Sequence, residues 1–272
     1  MKSRTSLFAL AMAMAPVALY AQAPRMNVLT LGIESVKPGK GRAHDKLEAD
    51  WASAIYAAKP ASGYLAMKTM TGPPQFWYAT LFSSWAAYEK SQASNPGQEA
   101  ASARFSPQEA DILSETRDMV MVRVDSLGYG QPRDIAQMRY MSATRITVRL
   151  GHYDEWAAGR SVVKHAHEAA NLTDEYSIWQ VVAGAPTGTY YLFASRKSLA
   201  ELDELATIHG PAYQAAIGAE GQKKLDAAQT NAVAFSQTDQ LAFAPAQSVM
   251  SAEMTKSDPA YWAHKPAAVK KP

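Results

Sequence analysis

Among the residues of this 272-residue chain that could carry chemistry are six histidines, its carboxylates and its phenols, and it contains no cysteine. The absence of thiols excludes disulfides, thiolate metal sites and a cysteine nucleophile. His165 and His167 lie two residues apart on a predicted helix, so their side chains point to nearly opposite sides and cannot share one metal ion. No H-E-x-x-H pattern occurs, and the sequence predicts neither a metal site nor a permanent cofactor.

His209 stands just before a long predicted helix. It could serve as a general base, or as an iron ligand if the protein handles haem. The alternative is an ordinary loop histidine near a helix start. We favour the alternative, because the matching position in the first half of the chain is Gly97 and no second histidine is fixed nearby.

Arg145 lies in the middle of a predicted strand, where the first half of the chain has Ile33. An inward-facing arginine would need an anionic partner or ligand, whereas an outward-facing one would be solvated. Aromatic residues on nearby strands could line a flat apolar ligand, although packing is their commoner role. We hypothesise that Arg145 and Trp179 line one pocket for an aromatic or carboxylate-bearing molecule. The predicted ligand-binding set is Arg145, Trp179, Tyr64, Tyr176, Trp77, Tyr190 and His209.

The N-terminus has the pattern of a cleaved secretory signal. Lys2 and Arg4 precede an apolar run over residues 7–20, and small residues follow at Ala21 and Ala23. The pattern predicts a signal peptide over residues 1–23, a mature chain that starts at Gln22 or Pro24, and a periplasmic or extracellular location. Removal of the two basic residues leaves 25 Lys and Arg against 25 Asp and Glu. This balance predicts no nucleic-acid partner and no membrane partner after cleavage, and it leaves self-association open.

Residue pairs at a constant separation of 112 indicate an internal duplication. Examples are Tyr64 and Tyr176, Gly39 and Gly151, Gly72 and Gly184, Tyr78 and Tyr190, Ser83 and Ser195, and Leu113 and Leu225. The predicted organisation is a signal peptide (1–23), module 1 (27–125), a linker (126–137), module 2 (138–240) and a C-terminal tail (241–272).

Each predicted module has the element order β-α-β-β-α-β, which is typical of the ferredoxin-like fold. Predicted strands of module 1 are 28–36, 62–70, 75–82 and 118–125, with helices at 41–59, 84–91 and 107–116. Such an antiparallel sheet is covered by helices on one face only, so the second module can cover the other face. The predicted fold is therefore α+β, with two tandem ferredoxin-like modules that form an intrachain pseudo-dimeric α/β barrel.

Several short motifs resemble the dimeric α/β-barrel superfamily, in its NIPSNAP-like and antibiotic-biosynthesis-monooxygenase-like branch. They are Val36-Lys37-Pro38-Gly39-Lys40, Gly72-Pro73-Pro74, the Gly-x-x-Gly-x-x-x-Leu stretch at Gly218–Leu225, and Asp258-Pro259-Ala260-Tyr261-Trp262. The resemblance covers roughly residues 27–240 and is greatest to secreted members with two modules in tandem.

The resemblance implies a fold that hosts cofactor-free oxygenases, isomerases, haem-handling enzymes and proteins without known activity, and no catalytic motif carries over. Three functions stay open. They are a binding protein with a small, partly apolar ligand between its sheets, a cofactor-free oxygenase or isomerase, and a structural or interaction module with a filled barrel.

Overall fold

The protein folds into one closed barrel of antiparallel strands, with helices packed on the outside. The computed structural model describes residues 27–60, 62–93 and 95–262, so the predicted signal segment lies outside the described residues. The strand order around the barrel is β1-β3-β2-β8-β5-β7-β6-β4. The strands are β1 (Val28–Val36), β2 (Leu65–Thr69), β3 (Gln75–Phe82), β4 (Leu113–Arg123), β5 (Tyr140–Val148), β6 (Ser177–Ala183), β7 (Thr189–Arg196) and β8 (Val233–Phe243).

Most of the helices pack on the outer faces of the two half-barrels, whereas the last one carries Trp262 into the barrel core. The helices are α1 (Gly41–Ala57), α2 (Trp85–Ser91), α3 (Pro96–Glu109), α4 (Tyr153–Ala169), α5 (Glu201–Glu204), α6 (Gly210–Ala232), α7 (Ala252–Ser257) and α8 (Pro259–Trp262), with a π-helical turn at Leu205–His209. None of the helices in the described part of the chain is both long enough and apolar enough to span a bilayer. The first half consists of β1–β4 with α1–α3, and the second half of β5–β8 with α4–α6.

Each half contributes four neighbouring strands in the order 4-1-3-2, and the halves meet where β2 pairs with β8 and where β4 pairs with β6. Alternate residues of every strand therefore point into the barrel or towards the helices. The predicted mixed α/β architecture with a closed barrel is confirmed. The predicted boundary at residue 240 falls inside β8, which continues to Phe243.

The space inside the barrel is filled by large apolar side chains. Interior positions on β1, β4 and β7 carry Leu31, Met119 and Tyr191, each at most 2% exposed. The C-terminal segment adds Trp262, which is 1% exposed, and its indole nitrogen donates a hydrogen bond of 2.7 Å to the Ala136 carbonyl oxygen. The interior of the barrel is thus mainly a packed apolar core.

The strand registers correct the constant separation of 112. Ile33 pairs with Trp77 and Arg145 pairs with Tyr191, so β3 and β7 match at a separation of 114. Tyr190 consequently matches Phe76 and not Tyr78. The separation of 112 does hold from β1 to β5 and from α1 to α4, whose bounds correspond residue for residue. The hairpin of β6 and β7 is two residues longer than the hairpin of β2 and β3. The aligned Gly and Pro residues in the two turns hide this difference in the sequence.

The last third of the first half differs from the sequence-based prediction. The predicted helix over 107–116 is wrong, because α3 runs from Pro96 to Glu109 and β4 already begins at Leu113. The side chain of Asn95 caps the helix by accepting from the Gln98 backbone N–H, and the Gln98 side chain accepts in return from the Asn95 backbone N–H. Across the two halves, β4 matches β8 at a separation of 120, since Ile33 pairs with Arg117 and Arg145 with Gln237.

Candidate active site

A large cavity lies outside the barrel, between the first half's sheet and its own helices. Its volume is about 730 Å³. The floor is the outer face of β1, β3 and β4, and the walls come from α1, α2 and α3. A cavity of this size falls in the range that accommodates a small organic molecule.

Two carboxylates and an imidazole converge at the buried end of this cavity. Glu34 comes from the outer face of β1, while His44 and Glu48 lie four residues apart on α1 and so share one helix face. His44 Nε2 lies 2.8 Å from Glu34 Oε2. One ligand-type atom from each of the three residues lies within 4.8 Å of the others. We call Glu34, His44 and Glu48 the acid–histidine cluster.

Burial makes ionisation of Glu48 unfavourable. Its side chain is 5% exposed, and desolvation, followed by the negative charge of Glu34, raises its pKa to about 8. The Tyr78 hydroxyl lies beside the carboxylate and opposes this shift. Burial and the charge of Glu48 raise the pKa of the Tyr64 and Tyr78 phenols in turn. Glu48 is therefore protonated at neutral pH, and both phenols stay neutral.

The cluster has the spacing of a metal site, which the sequence-based prediction of no metal-ligand cluster had excluded. The surroundings of His44 nevertheless do not suit a metal. Its second ring nitrogen, Nδ1, is buried without a hydrogen-bond partner, and its ring packs 4.2 Å from the Phe76 ring. Metal-bound histidines almost always donate their other N–H to an acceptor. A hydrogen bond from Nε2 to Glu34 fits these surroundings better than a metal ion on Nε2, since Nδ1 can then be an unpaired acceptor.

The second half fills the same positions without an acid. Matched by strand register and helix bounds, the three cluster positions hold Ile146, Trp156 and Arg160. Trp156 packs 4.4 Å from the Tyr190 ring, just as His44 packs on Phe76. The cavity at this place is only about 190 Å³. The fold therefore does not require a polar cluster at these positions.

Gly32 opens the floor of the large cavity. It lies on β1 between Tyr78 of β3 and Asp118 of β4, and a Cβ atom added to it would stand 3.1 Å from Asp118 Oδ1. At the matching place of the second half, the hydroxyl oxygens of Thr144 and Thr238 are 2.8 Å apart and close the surface. The side chains at these positions of the two sheets thus account for the difference in size between the cavities of the first and second halves.

Arg145 points towards the barrel interior but lies at its mouth. It lines a cavity of about 260 Å³ together with Trp77 and Tyr191, and its guanidinium lies 4.7 Å from the Phe235 ring centroid. Trp179 is deeply buried elsewhere in the barrel, where its indole N–H donates to the Ser177 hydroxyl. It is not among the residues that line the Arg145 cavity. The structure thus does not place Arg145 and Trp179 in the single pocket that the sequence suggested.

The other predicted residues are divided between the two helix-covered faces. Tyr64 lines the large cavity, with its ring 5.7 Å from that of Tyr78. Tyr176 and Tyr190 belong to the core between the second sheet and its helices. His209 ends the π-helical turn, and its Nδ1 lies 2.8 Å from Asp174 Oδ1.

The two histidines on α4 differ in their surroundings. His165 is exposed. His167 lies 2.8 Å through Nδ1 from the Val163 carbonyl oxygen and 3.6 Å through Nε2 from Asp174. Asp174 therefore stands between His167 and His209, two residues that are distant in sequence.

Sequence reasoning missed the acid–histidine cluster. The available signal was a histidine and a glutamate four residues apart on one face of α1, a face that otherwise carries buried Leu47 and Ile55. A buried face that includes two ionisable groups needs partners for them. The contribution of Glu34 could not be read from the pattern, because it depends on how β1 packs under α1.

Comparisons with known proteins support the fold only. No protein-family model matches the chain, and no curated protein is similar enough in sequence to count as a relative. A monooxygenase candidate from Fusobacterium nucleatum subsp. nucleatum superposes with a TM-score of 0.52 at 11% identity, over 80% of this chain and 92% of the other. An anthrone oxidase-like protein gives the same TM-score, identity and coverage.

A chlorite dismutase variant from Candidatus Nitrospira defluvii, in complex with cyanide, has a TM-score of 0.45 at 8% identity, over 85% of this chain and 94% of the other. That superposition is too loose to support an argument. The two better superpositions agree with the closed barrel described above, and the closed barrel of eight antiparallel strands is consistent with a dimeric α/β-barrel fold. At such low identity they transfer no activity.

Proposed function

We propose that the protein is an enzyme that moves protons on a small molecule held in the large cavity, as an isomerase or a cofactor-free oxygenase. The observation that supports this most is the acid–histidine cluster itself. Three polar groups meet at the buried end of a cavity, while the matching positions of the second half are filled mainly by apolar side chains. Buried ionisable groups reduce stability, so a cluster that the fold can do without is best explained by chemistry.

We also propose that the chain contains an internal duplication. Both halves have the strand order 4-1-3-2, and their first strand and first helix correspond residue for residue. We infer that they are diverged ferredoxin-like modules in tandem, which together form the barrel that two separate chains would otherwise make. The first module has kept or gained a polar cavity, and the second supports the barrel.

Glu34 and Glu48 take complementary roles in the proposed reaction. The imidazole of His44 orients Glu34 as an acceptor that faces the cavity, which suits a general base. Glu48 is protonated at neutral pH and can donate a proton to an oxygen of the substrate. Two neighbouring carboxyl groups in different protonation states form an acid–base pair.

Both proposed reactions begin with the same balanced proton transfer. Glu34 takes a proton from a carbon next to a carbonyl group, and the C–H electron pair forms a carbon–carbon double bond. The carbonyl electron pair moves onto oxygen, which receives the proton of Glu48. Return of a proton to a different carbon gives an isomerase. Reaction of the enol with dioxygen as the oxidant, which converts a CH₂ group and O₂ into a carbonyl group and water, gives an oxygenase.

Hydrogen exchange with solvent tests this proposal without knowledge of the natural substrate. The protein is incubated in D₂O with phenacyltrimethylammonium, phenylacetone and phenylpyruvate, and loss of the activated methylene signal is followed by NMR. We expect exchange above the spontaneous rate for at least one probe, together with dioxygen uptake if the protein is an oxygenase. Glu34→Gln should lower the catalysed exchange by about 100-fold or more, as expected for loss of a general base.

A matched substitution outside the cavity serves as the control. Glu220→Gln changes the same functional group on the exposed surface of α6 and should leave exchange unchanged. Exchange at the spontaneous rate for every probe, or equal exchange by wild type and Glu34→Gln, would contradict the proposed acid–base function.

A further inference from the structure

We propose that the large cavity binds an organic cation, with a substituted ammonium group on a small aromatic or apolar body. The inference rests on the cavity that the proposed function uses, but it does not require that the cavity be catalytic. It names the class of ligand, which the fold and the comparisons leave open.

The carboxylates that line the cavity are the first argument. Glu34, Glu48, Glu109 and Asp118 all contribute to the wall, and none of the described residues in that wall is a lysine, arginine or histidine. Glu34 and Glu48 stand at the buried end, whereas Asp118 stands at the exposed side. Acids along the whole cavity favour a positively charged occupant, and the described wall lacks a cation of its own that would neutralise them.

Aromatic side chains are the second argument. Five of the residues in the wall are aromatic, namely Trp51, Tyr64, Tyr78, Phe82 and Tyr88. Aromatic faces attract ammonium groups, and several rings combined with carboxylates form the usual environment of a bound quaternary ammonium. The rings also provide apolar surface for the body of the ligand.

Buried polar groups in the wall are the third argument. Glu48 is 5% exposed and lines the cavity, and the hydroxyl groups of Tyr64 and Tyr78 beside it are buried without a hydrogen-bond partner among the described residues. His44 is already engaged with Glu34, so it does not neutralise Glu48. A cation in the cavity would provide Glu48 with an oppositely charged partner, which supports an ion pair at this end of the cavity.

Two other ligand classes fit the cavity less well. A divalent metal on the acid–histidine cluster would leave the His44 Nδ1–H buried beside Phe76 without an acceptor. An aromatic carboxylate, which the sequence favoured because of Arg145, would meet four acids and no basic residue in the described wall, since Arg145 lines a different cavity.

Isothermal titration with three probes of similar shape tests the ligand class. The probes are phenethyltrimethylammonium, its neutral isostere (3,3-dimethylbutyl)benzene, in which carbon replaces nitrogen, and the anion 3-phenylpropionate. We expect measurable binding of the ammonium probe, and affinity at least about tenfold lower for the neutral and anionic probes. Zinc, manganese and magnesium chloride are titrated separately, with and without the ammonium probe.

Substitutions in the cavity wall outside the acid–histidine cluster locate the binding site. Asp118→Asn and Glu109→Gln each remove one charge from the cavity wall, and each should weaken binding of the ammonium probe about threefold to tenfold. Glu220→Gln, on the exposed surface of α6, is the control and should leave affinity unchanged. Thermal unfolding of each variant shows whether the fold is intact.

The pH dependence of binding gives an additional readout. Glu48 faces Glu34 of β1, His44 of its own helix, Glu109 of α3, and the phenols Tyr64 and Tyr78. A bound cation favours the ionised form of Glu48, so the affinity for the fixed-charge probe should rise as the pH increases through about 8. In Glu48→Gln this rise should disappear.

Each outcome bears on a separate claim. Equal or tighter binding of the neutral or anionic probe, an affinity insensitive to Asp118→Asn and Glu109→Gln, or tight zinc binding that displaces the ammonium probe would overturn the cation inference. Binding of the ammonium probe without catalysed hydrogen exchange would leave the inference standing and contradict the proposed enzyme function. Catalysed exchange of phenylacetone without binding of the ammonium probe would support the proposed enzyme function and contradict the cation inference.

Discussion

The Nε2 atom of His44 lies 2.8 Å from the Oε2 atom of Glu34, and this contact joins α1 to β1 beneath the large cavity of the first half. At the matching place of the second half, an indole packs on an apolar side chain in a continuous core. The two halves thus have the same backbone at this place but different side chains. The apolar pair in the second half stabilises the fold. The polar pair in the first half lies near the buried carboxyl group of Glu48, which influences how stability depends on pH.

We predict that Glu48 makes the protein less stable as the pH rises. The folded-state pKa of Glu48 is about 8, and its ordinary value is 4.5. Between these values the folded state holds a proton that the unfolded state has lost, so the free energy of unfolding falls with increasing pH. The loss between about pH 5 and pH 8 should be on the order of 3 kcal/mol.

Urea unfolding of wild type and Glu48→Gln at pH 5, 6.5 and 8 measures this effect. The glutamine variant should lose the component of pH dependence due to Glu48 and should exceed wild type in stability at pH 8. Glu220→Gln, at an exposed position of α6, should follow the wild-type curve. Parallel curves for wild type and Glu48→Gln would show that Glu48 ionises without penalty in the folded protein.

Local patterns in the sequence predict most of this fold. β1 and β3 have the predicted bounds, because each is a run of β-branched or aromatic residues that ends at a Pro or Gly turn or at a polar segment. The helix over 96–109 was missed because Pro107 resembles a helix start, whereas the side chain of Asn95 provides the actual cap. Packing of Ala101 and Phe105 against α1 keeps Pro107 within the last turn.

The candidate site is less predictable than the fold. His44 and Glu48 are readable as a pair on one helix face, but the distance from His44 to Glu34 depends on how the helix packs on the sheet. The importance of Gly32 depends on two cross-strand neighbours, Tyr78 and Asp118. Arg145 stands out in the sequence as a charge in mid-strand, yet its position at the mouth of the barrel follows from strand pairing that one sequence does not reveal.

We predict that Gly32→Thr will close the cavity and at the same time maintain or raise stability. The new Cβ atom would stand 3.1 Å from Asp118 Oδ1, an atom of an exposed side chain that can move away. Threonine in a strand is favoured over glycine, so unfolding should cost up to about 1 kcal/mol more than in wild type. Affinity for phenethyltrimethylammonium should fall about tenfold or more, because the cavity floor is filled.

Opposite changes in stability and binding distinguish this effect from misfolding. Thermal unfolding and titration calorimetry on the same preparation measure both quantities. Thr144→Ser, at the matching position of the second half, should leave affinity for the probe unchanged. Unchanged affinity in a stable Gly32→Thr protein would place the binding site elsewhere.

We also predict processing at the N-terminus. The basic start, apolar run and small residues of positions 1–23 are those of a cleaved signal, so we propose export to the periplasm or beyond. Expression in a bacterial host with an intact secretion system, followed by intact-mass measurement, should give a chain that starts at Gln22 or Pro24. An exported chain that retains Met1 would contradict cleavage.

The last prediction concerns the C-terminal segment, which carries Trp262 into the barrel core. Its indole is 1% exposed, packs against Phe243 and donates a hydrogen bond to the Ala136 carbonyl oxygen. An ion pair between Arg139 and Asp258 holds the start of α8 beside it. Trp262→Ala should therefore lower the free energy of unfolding by about 3–5 kcal/mol, the usual cost of deleting a buried aromatic side chain.

Two further substitutions separate packing from exposure. Trp262→Phe keeps much of the packing and loses the hydrogen bond, so it should cost less than the alanine variant but at least about 1 kcal/mol. Trp85→Ala, at a position that is 49% exposed, should cost less than about 1 kcal/mol. Urea unfolding of the three variants measures these losses in stability. If the C-terminal segment belongs to the folded core, the loss should be largest for Trp262→Ala and smallest for Trp85→Ala. Equal losses for Trp262→Ala and Trp85→Ala would mean that the barrel is stable without the segment.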